Sequence, residues 1–160
     1  LNVRSKLLAS IESYELSYLT KLYELKLKGC NLTILNNYAF DGLIYLELLD
    51  LSQNRIELIM ENAFKQLESL IFLYLDNNQL NKLDLEIFKD LLSLNLVDLT
   101  MNKIKYITNY SSSRFKLREI NSITFPENCR EIIINNNQLF KIKDFYFKGL
   151  KNLENLSLKF

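Results

Sequence analysis

Apolar residues recur along this chain in one fixed frame. The frame runs apolar, two residues, apolar, one residue, apolar, two residues, Asn, one residue, apolar. Leu70, Leu73, Leu75, Asn78 and Leu80 fit it. Leu46, Leu49, Leu51, Asn54 and Ile56 fit it, as do Leu94, Val97, Leu99, Asn102 and Ile104. Leu22, Leu25, Leu27, Cys30 and Leu32 fit with Cys in the Asn place, and Cys129, Ile132, Ile134, Asn137 and Leu139 fit with Cys in the first place. Starts at 22, 46, 70 and 94 are 24 residues apart, as are starts at 129 and 153. One period before residue 22, Leu1, Val3 and Leu8 fall in frame, with Lys6 where Asn belongs. The second half of each unit repeats too. Leu35, Ile59, Leu83, Ile107 and Ile142 each follow three residues after the closing apolar position. Phe40, Phe64, Phe88 and Phe147 share a later place, with Leu43, Leu67, Leu91 and Leu150 three beyond. Self-similarity at one period over this many positions is the signature of a repeat architecture.

The frame predicts its own structure. A short strand such as Leu73–Leu75 sends alternate side chains to opposite faces. One unit cannot bury its apolar face alone, so units stack into a parallel sheet over a continuous core. The Asn falls in the turn leaving the strand, where its amide can satisfy buried backbone groups. Asn54, Asn78 and Asn102 are expected to form a ladder, and Cys30, a weak hydrogen-bonding group, a looser turn. The Phe positions are expected on the convex side, where the chain returns. The prediction is an α/β repeat over residues 1–160: a right-handed curved solenoid with a concave parallel sheet, a convex side of loops and short helical turns, and partial repeats at both ends. The frame breaks once. From 94 to 129 is 129 − 94 = 35 residues, 11 more than one unit. The surplus lies around residues 108–128, read as an irregular repeat or projecting loop. It is either a tolerated surface insertion or a ligand-contacting loop.

The same alternation names the outward columns. The third repeat position gives Glu24, Leu48, Phe72, Leu96, Glu131 and Asn155; the fifth gives Asn2, Lys26, Asp50, Tyr74, Asp98, Ile133 and Ser157. The seventh gives Arg4, Lys28, Ser52, Asp76, Thr100, Asn135 and Lys159. The N-terminal end is basic (Arg4, Lys26, Lys28), whereas the centre is apolar and acidic: Leu48, Phe72 and Leu96, with Tyr74 beside Asp50, Asp76 and Asp98. An apolar centre with an aromatic anchor and a polar rim is how protein interfaces are built. Lateral packing of Leu48, Phe72 and Leu96 on adjacent strands is the competing explanation. A solvent-facing Phe beside three Asp favours binding.

Composition narrows the chemistry. The net charge of +1 gives no field pointing to nucleic acid or an anionic membrane. No apolar run approaches the ~18 residues of a membrane span. The chain has no His, which removes the usual general base near neutral pH and the commonest metal ligand. No catalytic constellation, metal-ligand pattern or phosphate loop is present, so neither an enzyme nor a cofactor is expected. Asp50 and Asp98 fall two units apart, with backbones about 10 Å from each other, which suits a solvated face better than paired acid–base chemistry. Cys30 and Cys129 lie four strand spacings apart, roughly 20 Å, beyond the reach of a disulfide, and are expected as buried thiols. Asn31, Asn109 and Asn155 head N-glycosylation sequons, about two of which would arise by chance in so Asn-rich a chain.

The frame, with its 24-residue period and Phe, resembles the leucine-rich repeat family in its typical class, over nearly the whole chain. Plant-type Gly-x-Ile-Pro is absent, and Pro126 is the only Pro. The resemblance implies an extracellular protein: Toll-type receptors, small proteoglycans and secreted immune proteins carry this class. It implies a non-enzymatic recognition module of innate immunity or of a receptor, binding a protein ligand or partner subunit on the concave face. Residues 123–139 resemble the Pro-containing irregular repeats of mosquito leucine-rich-repeat immune proteins. Extracellular members usually carry Cys-rich caps; none is visible, so the sequence is expected to be a piece of a longer protein or to lack its caps. The rival reading is a structural or assembly scaffold, a spacer or intracellular adaptor with contacts outside the concave face. An enzyme fragment would need a further domain. The oligomeric state stays open.

Overall fold

Each apolar frame from residue 22 onward becomes one three-residue strand, and the strands stack. The computed structural model describes residues 1–3, 9–108, 125–142 and 144–159. In chain order the described strands are β1 (Ser10–Ile11), β2 (Glu24–Lys26), β3 (Ile34–Leu35), β4 (Leu48–Asp50), β5 (Leu58–Ile59), β6 (Phe72–Tyr74), β7 (Lys82–Asp84), β8 (Leu96–Asp98), β9 (Tyr106–Thr108), β10 (Glu131–Ile133) and β11 (Asn155–Ser157). The main sheet runs β11-β10-β8-β6-β4-β2, all parallel. The fold is a leucine-rich-repeat solenoid with a parallel sheet and little helix. Among the described residues, helix is confined to short 3-10 segments at Leu85–Phe88 and Asp144–Phe147.

Register is set by burial. The central residues Leu25, Leu49, Leu73, Val97 and Ile132 are fully buried, so a one-residue slip would turn each out of the core. β10 pairs with β8 as Leu96↔Glu131, Val97↔Ile132 and Asp98↔Ile133. The 35-residue step therefore leaves the sheet unbroken. Most of the expected insertion, residues 109–124, lies outside the described residues.

The Asn ladder forms. Asn78 Nδ2 donates to the carbonyls of Leu51 and Leu75, both at 3.0 Å, and its Oδ1 accepts from the Ile56 N–H at 2.9 Å. Asn54 repeats this one unit earlier, and Asn102 and Asn137 one and two units later. Each Asn bonds its own turn and the preceding unit, satisfying main-chain groups that would otherwise be buried unpaired. Cys30 takes the equivalent place, with its Sγ 3.2 Å from the Val3 carbonyl.

The return side differs from the expectation in two ways. First, it carries short parallel strands as well as loops and helical turns: β1-β3-β5 in one sheet and β7-β9 in another. They are built on the periodic Leu35, Ile59, Leu83 and Ile107. Second, the Phe stack gains a member out of frame. Phe40 stacks on Phe64 at 5.9 Å, Phe88 on Phe125 at 5.2 Å, and Phe125 on Phe147 at 5.8 Å. Phe125 fills the gap that the long step would leave in the stack.

Candidate recognition surface

The strand residues flanking each buried centre face away from the core. They form two columns across the main sheet. Leu48, Phe72 and Leu96 are successive Cα partners, continued by Glu24 on one side and by Glu131 and Asn155 on the other. Lys26, Asp50, Tyr74, Asp98, Ile133 and Ser157 form the second column in the same register. At about 4.8 Å per strand, Leu48 to Leu96 is an apolar run about 10 Å long. Phe72 is 37% exposed, and Leu48 and Leu96 beside it are half-buried. The run is thus partly self-covering, with Phe72 its most exposed part.

The acidic column serves the fold as well as the surface. Asp50 Oδ1 accepts from the Ser52 N–H at 2.9 Å and the Ser52 hydroxyl at 2.6 Å. Asp98 Oδ1 accepts from the Thr100 N–H at 2.9 Å. These carboxylates close the turns leaving their strands, as in Asx-turns. Ser52, expected to face out, is instead buried at 3% exposure beneath that contact. Asp76 is half-buried, and its Oδ2 accepts from Asn77 Nδ2 at 2.7 Å.

The electrostatics concentrate at Tyr74. Burial pushes its hydroxyl pKa up, and the Asp50, Asp98, Asp76 and Glu131 carboxylates push it further. Burial likewise raises the Asp76 carboxyl; the Asn77 hydrogen bond opposes this, while Asp98 and Asp50 add to it. Among the described residues, no ion pair involves Asp50, Asp76 or Asp98. The basic end is weaker than its composition suggests, because Lys26 Nζ lies 2.8 Å from Glu24 Oε2 and both side chains are exposed. That hydrogen bond raises the Lys26 pKa and lowers that of Glu24. Lys28 is exposed, and Arg4 lies outside the described residues.

Glu131 was absent from the expected contact set. The signal for it was the frame restart at 129, which sets Glu131 beside Leu96. Of the sequons, Asn31 lies in a turn with φ of 66°. Asn155 lies on β11 with its Nδ2 2.6 Å from Glu131 Oε1. Asn109 is outside the described residues. Among the described residues no cluster of three or more potential ligands could hold a metal ion, and no helix is long and apolar enough to cross a membrane.

Residues 20–80 match the family described as leucine rich repeat. No curated protein matches the chain in sequence. Among solved structures, a chain of the Drosophila Toll–Spätzle complex superposes with a TM-score of 0.70 at 19% identity, over 94% of this chain. This chain spans 23% of that one's length. A chain of the TLR13–ssRNA13 complex aligns with a TM-score of 0.48 at 21% identity, over 90% of this chain and 26% of that one.

Proposed function

We propose that this leucine-rich-repeat solenoid is a non-enzymatic recognition module whose concave face binds a protein partner. One observation carries the reading. The central strands present an apolar run, Leu48–Phe72–Leu96, against Asp50, Asp76 and Asp98, which have no cationic partner among the described residues. The complementary surface bears an apolar side chain for Phe72 and Lys or Arg for the aspartates. Opposite potentials of this kind set partner choice and association rate. Lys26 and Lys28 lie at the rim, with Glu131 at the opposite flank. The likeness to Toll supports an extracellular receptor or innate-immune setting, including the insect immune proteins that residues 123–139 resemble, with Asn31 and Asn109 as glycan sites.

The test compares two truncations. Phe72→Ala should cost about 1–3 kcal/mol of partner affinity and little stability. Leu73→Ala, a core truncation, should cost about 2–5 kcal/mol of stability. Proteins captured from extracellular fluid by the intact protein should be lost with Phe72→Ala at an unchanged melting temperature. If the same proteins remain bound, or Phe72→Ala melts as early as Leu73→Ala, the run is lateral packing and the scaffold reading replaces this one.

A further inference from the structure

The convex flank contains a break that the concave sheet does not. On that side β1, β3 and β5 pair in sequence, and the pairing then stops; among the described residues β7 pairs only with β9. Translation by one unit shows what is missing. Glu57 N–H donates to the Thr33 carbonyl and Lys105 N–H to the Asn81 carbonyl, both at 2.9 Å, but no bond joins Asn81 N–H to Glu57. Met60 N–H donates to Leu35 at 2.9 Å, but Asp84 N–H has no such bond to Ile59. Tyr38 N–H donates to Asn62 at 3.0 Å, yet Asn62 N–H turns to Asn37 Oδ1 at 3.1 Å and not to the Glu86 carbonyl.

The sequence explains the break. Ala39 and Ala63 are fully buried one unit apart, and the next unit has Ile87 in that place, 4% exposed. Leu85, fully buried, replaces the polar Asn37 and Glu61. The extra apolar volume draws this stretch into a 3-10 turn, with Asp84 Oδ1 accepting from the Glu86 N–H at 3.3 Å. The chain leaves its neighbour, and a cleft of about 400 Å³ opens between β5 and β7. Leu58, 46% exposed, Met60 and Ile87 give it an apolar lining, and Glu57, Glu61, Asp84 and Glu86 an acidic one. Lys82 pairs with Asp84 at 3.8 Å, and Lys89 bridges Glu61 and Glu86 at 3.2 and 3.7 Å. Among the described residues, no ion pair takes up Glu57.

We propose that this cleft receives a short extended segment of a partner protein that carries a Lys or Arg next to an apolar residue. Two facing sheet edges offer main-chain donors and acceptors, the currency of strand addition. The apolar residue of the segment packs over Leu58 and Ile87. Its cation completes the charge balance that Lys82 and Lys89 leave unfinished. The site is separate from the concave face and stands without it.

The probe is acetyl-Val-Lys-Val-Lys-Val-amide, titrated into the 15N-labelled chain and followed by amide chemical shifts. Shifts are expected at residues 57–62 and 81–87. Replacing both Lys by Glu, or N-methylating the peptide main chain, should each weaken binding by about tenfold or more. Ile87→Ala, restoring the Ala of the two preceding units, should close the cleft and abolish binding. Leu58→Arg alters only the exposed lining and should abolish binding by repulsion, which decides the matter if Ile87→Ala fails to fold. The proposal is overturned if the Glu or N-methylated peptide binds as well as the Lys peptide. It is equally overturned if shifts fall only on the concave strands, if no shift appears at millimolar peptide, or if Leu58→Arg binds normally.

Discussion

At the scale of single residues, one side chain often serves several main-chain groups, and this makes the Asn positions sensitive. Removing the Asn78 amide leaves the Ile56 N–H without its partner and takes one of two amide donors from the Leu51 and Leu75 carbonyls, which keep Asn54 and Asn102. Each orphaned buried group costs about 1–3 kcal/mol, and relaxation or water recovers part. Asn78→Ala is therefore expected to lower stability by about 2 kcal/mol in urea unfolding; a loss under about 1 kcal/mol would mean that water replaces the amide. Asp76 has the opposite character. Its carboxyl pKa is raised in the folded chain, mainly by burial. Protonated Asp76 is thus favoured by the fold: its stabilising effect is complete below the unfolded pKa and is lost as pH rises through the folded value. Asp76→Asn should melt at or above the native temperature at neutral pH, and the difference should vanish in acid. A lower melting temperature at neutral pH would show that the charge stabilises the fold. The core and Asn positions were legible because the two-residue alternation and the 24-residue period fix them independently. The turn roles of Asp50 and Asp98, and the burial of Ser52, were not. A residue just past a strand end faces whichever way its turn closes, and the period carries no record of that.

At the scale of elements, the main sheet was readable down to its register, whereas the return side was readable only as a set of apolar positions. Strands of two or three residues such as β3 and β5 show no alternation of their own, and they exist because stacking brings neighbouring units within hydrogen-bonding distance. Phe125 shows the same limit. One unit beyond Phe88 lies Ser112, so the frame predicts a gap in the stack, and an out-of-frame residue fills it. Tyr146, buried, adds a second tie by donating its hydroxyl hydrogen to the Ile107 carbonyl. Packing of adjacent turns can be tested at two glycines with similar backbones. Gly42 and Gly149 have φ of +82° and +87°, a region that strains any L side chain. A Cβ at Gly42 would lie 2.6 Å from the Ser17 carbonyl oxygen, one unit earlier, while a Cβ at Gly149 would meet nothing within 4 Å. Gly149→Ala should cost about 1–2 kcal/mol from the backbone alone. Gly42→Ala should cost about 1–3 kcal/mol more, because the neighbouring turn must move. Equal losses in thermal unfolding would mean that the turns are not held against each other.

At the scale of the whole molecule, each unit touches only its neighbours, so stability is a sum of unit and interface terms, and opening need not be global. The two cysteines are placed to report this. Cys30 follows β2 and Cys129 precedes β10, both with no exposed surface, about 20 Å apart across four strand spacings. Burial pushes the Cys129 thiol up to about 11, so at neutral pH it is protonated and doubly protected from thiol reagents. Neither can be labelled without an opening event. Between them lies the β5–β7 break, where the convex-side main-chain hydrogen bonds made by the neighbouring units are missing and the Lys89–Glu61 ion pair spans the gap. Labelling of the two thiols, resolved by peptide mass after quenching, should therefore proceed through different openings. Each thiol should react with its own slope, and at least one with a urea dependence shallower than that of global unfolding, since a sub-global opening exposes less surface. If both thiols react at one rate with the full equilibrium slope, the solenoid opens as a single cooperative block. The β5–β7 break would then be too weak a discontinuity to divide it.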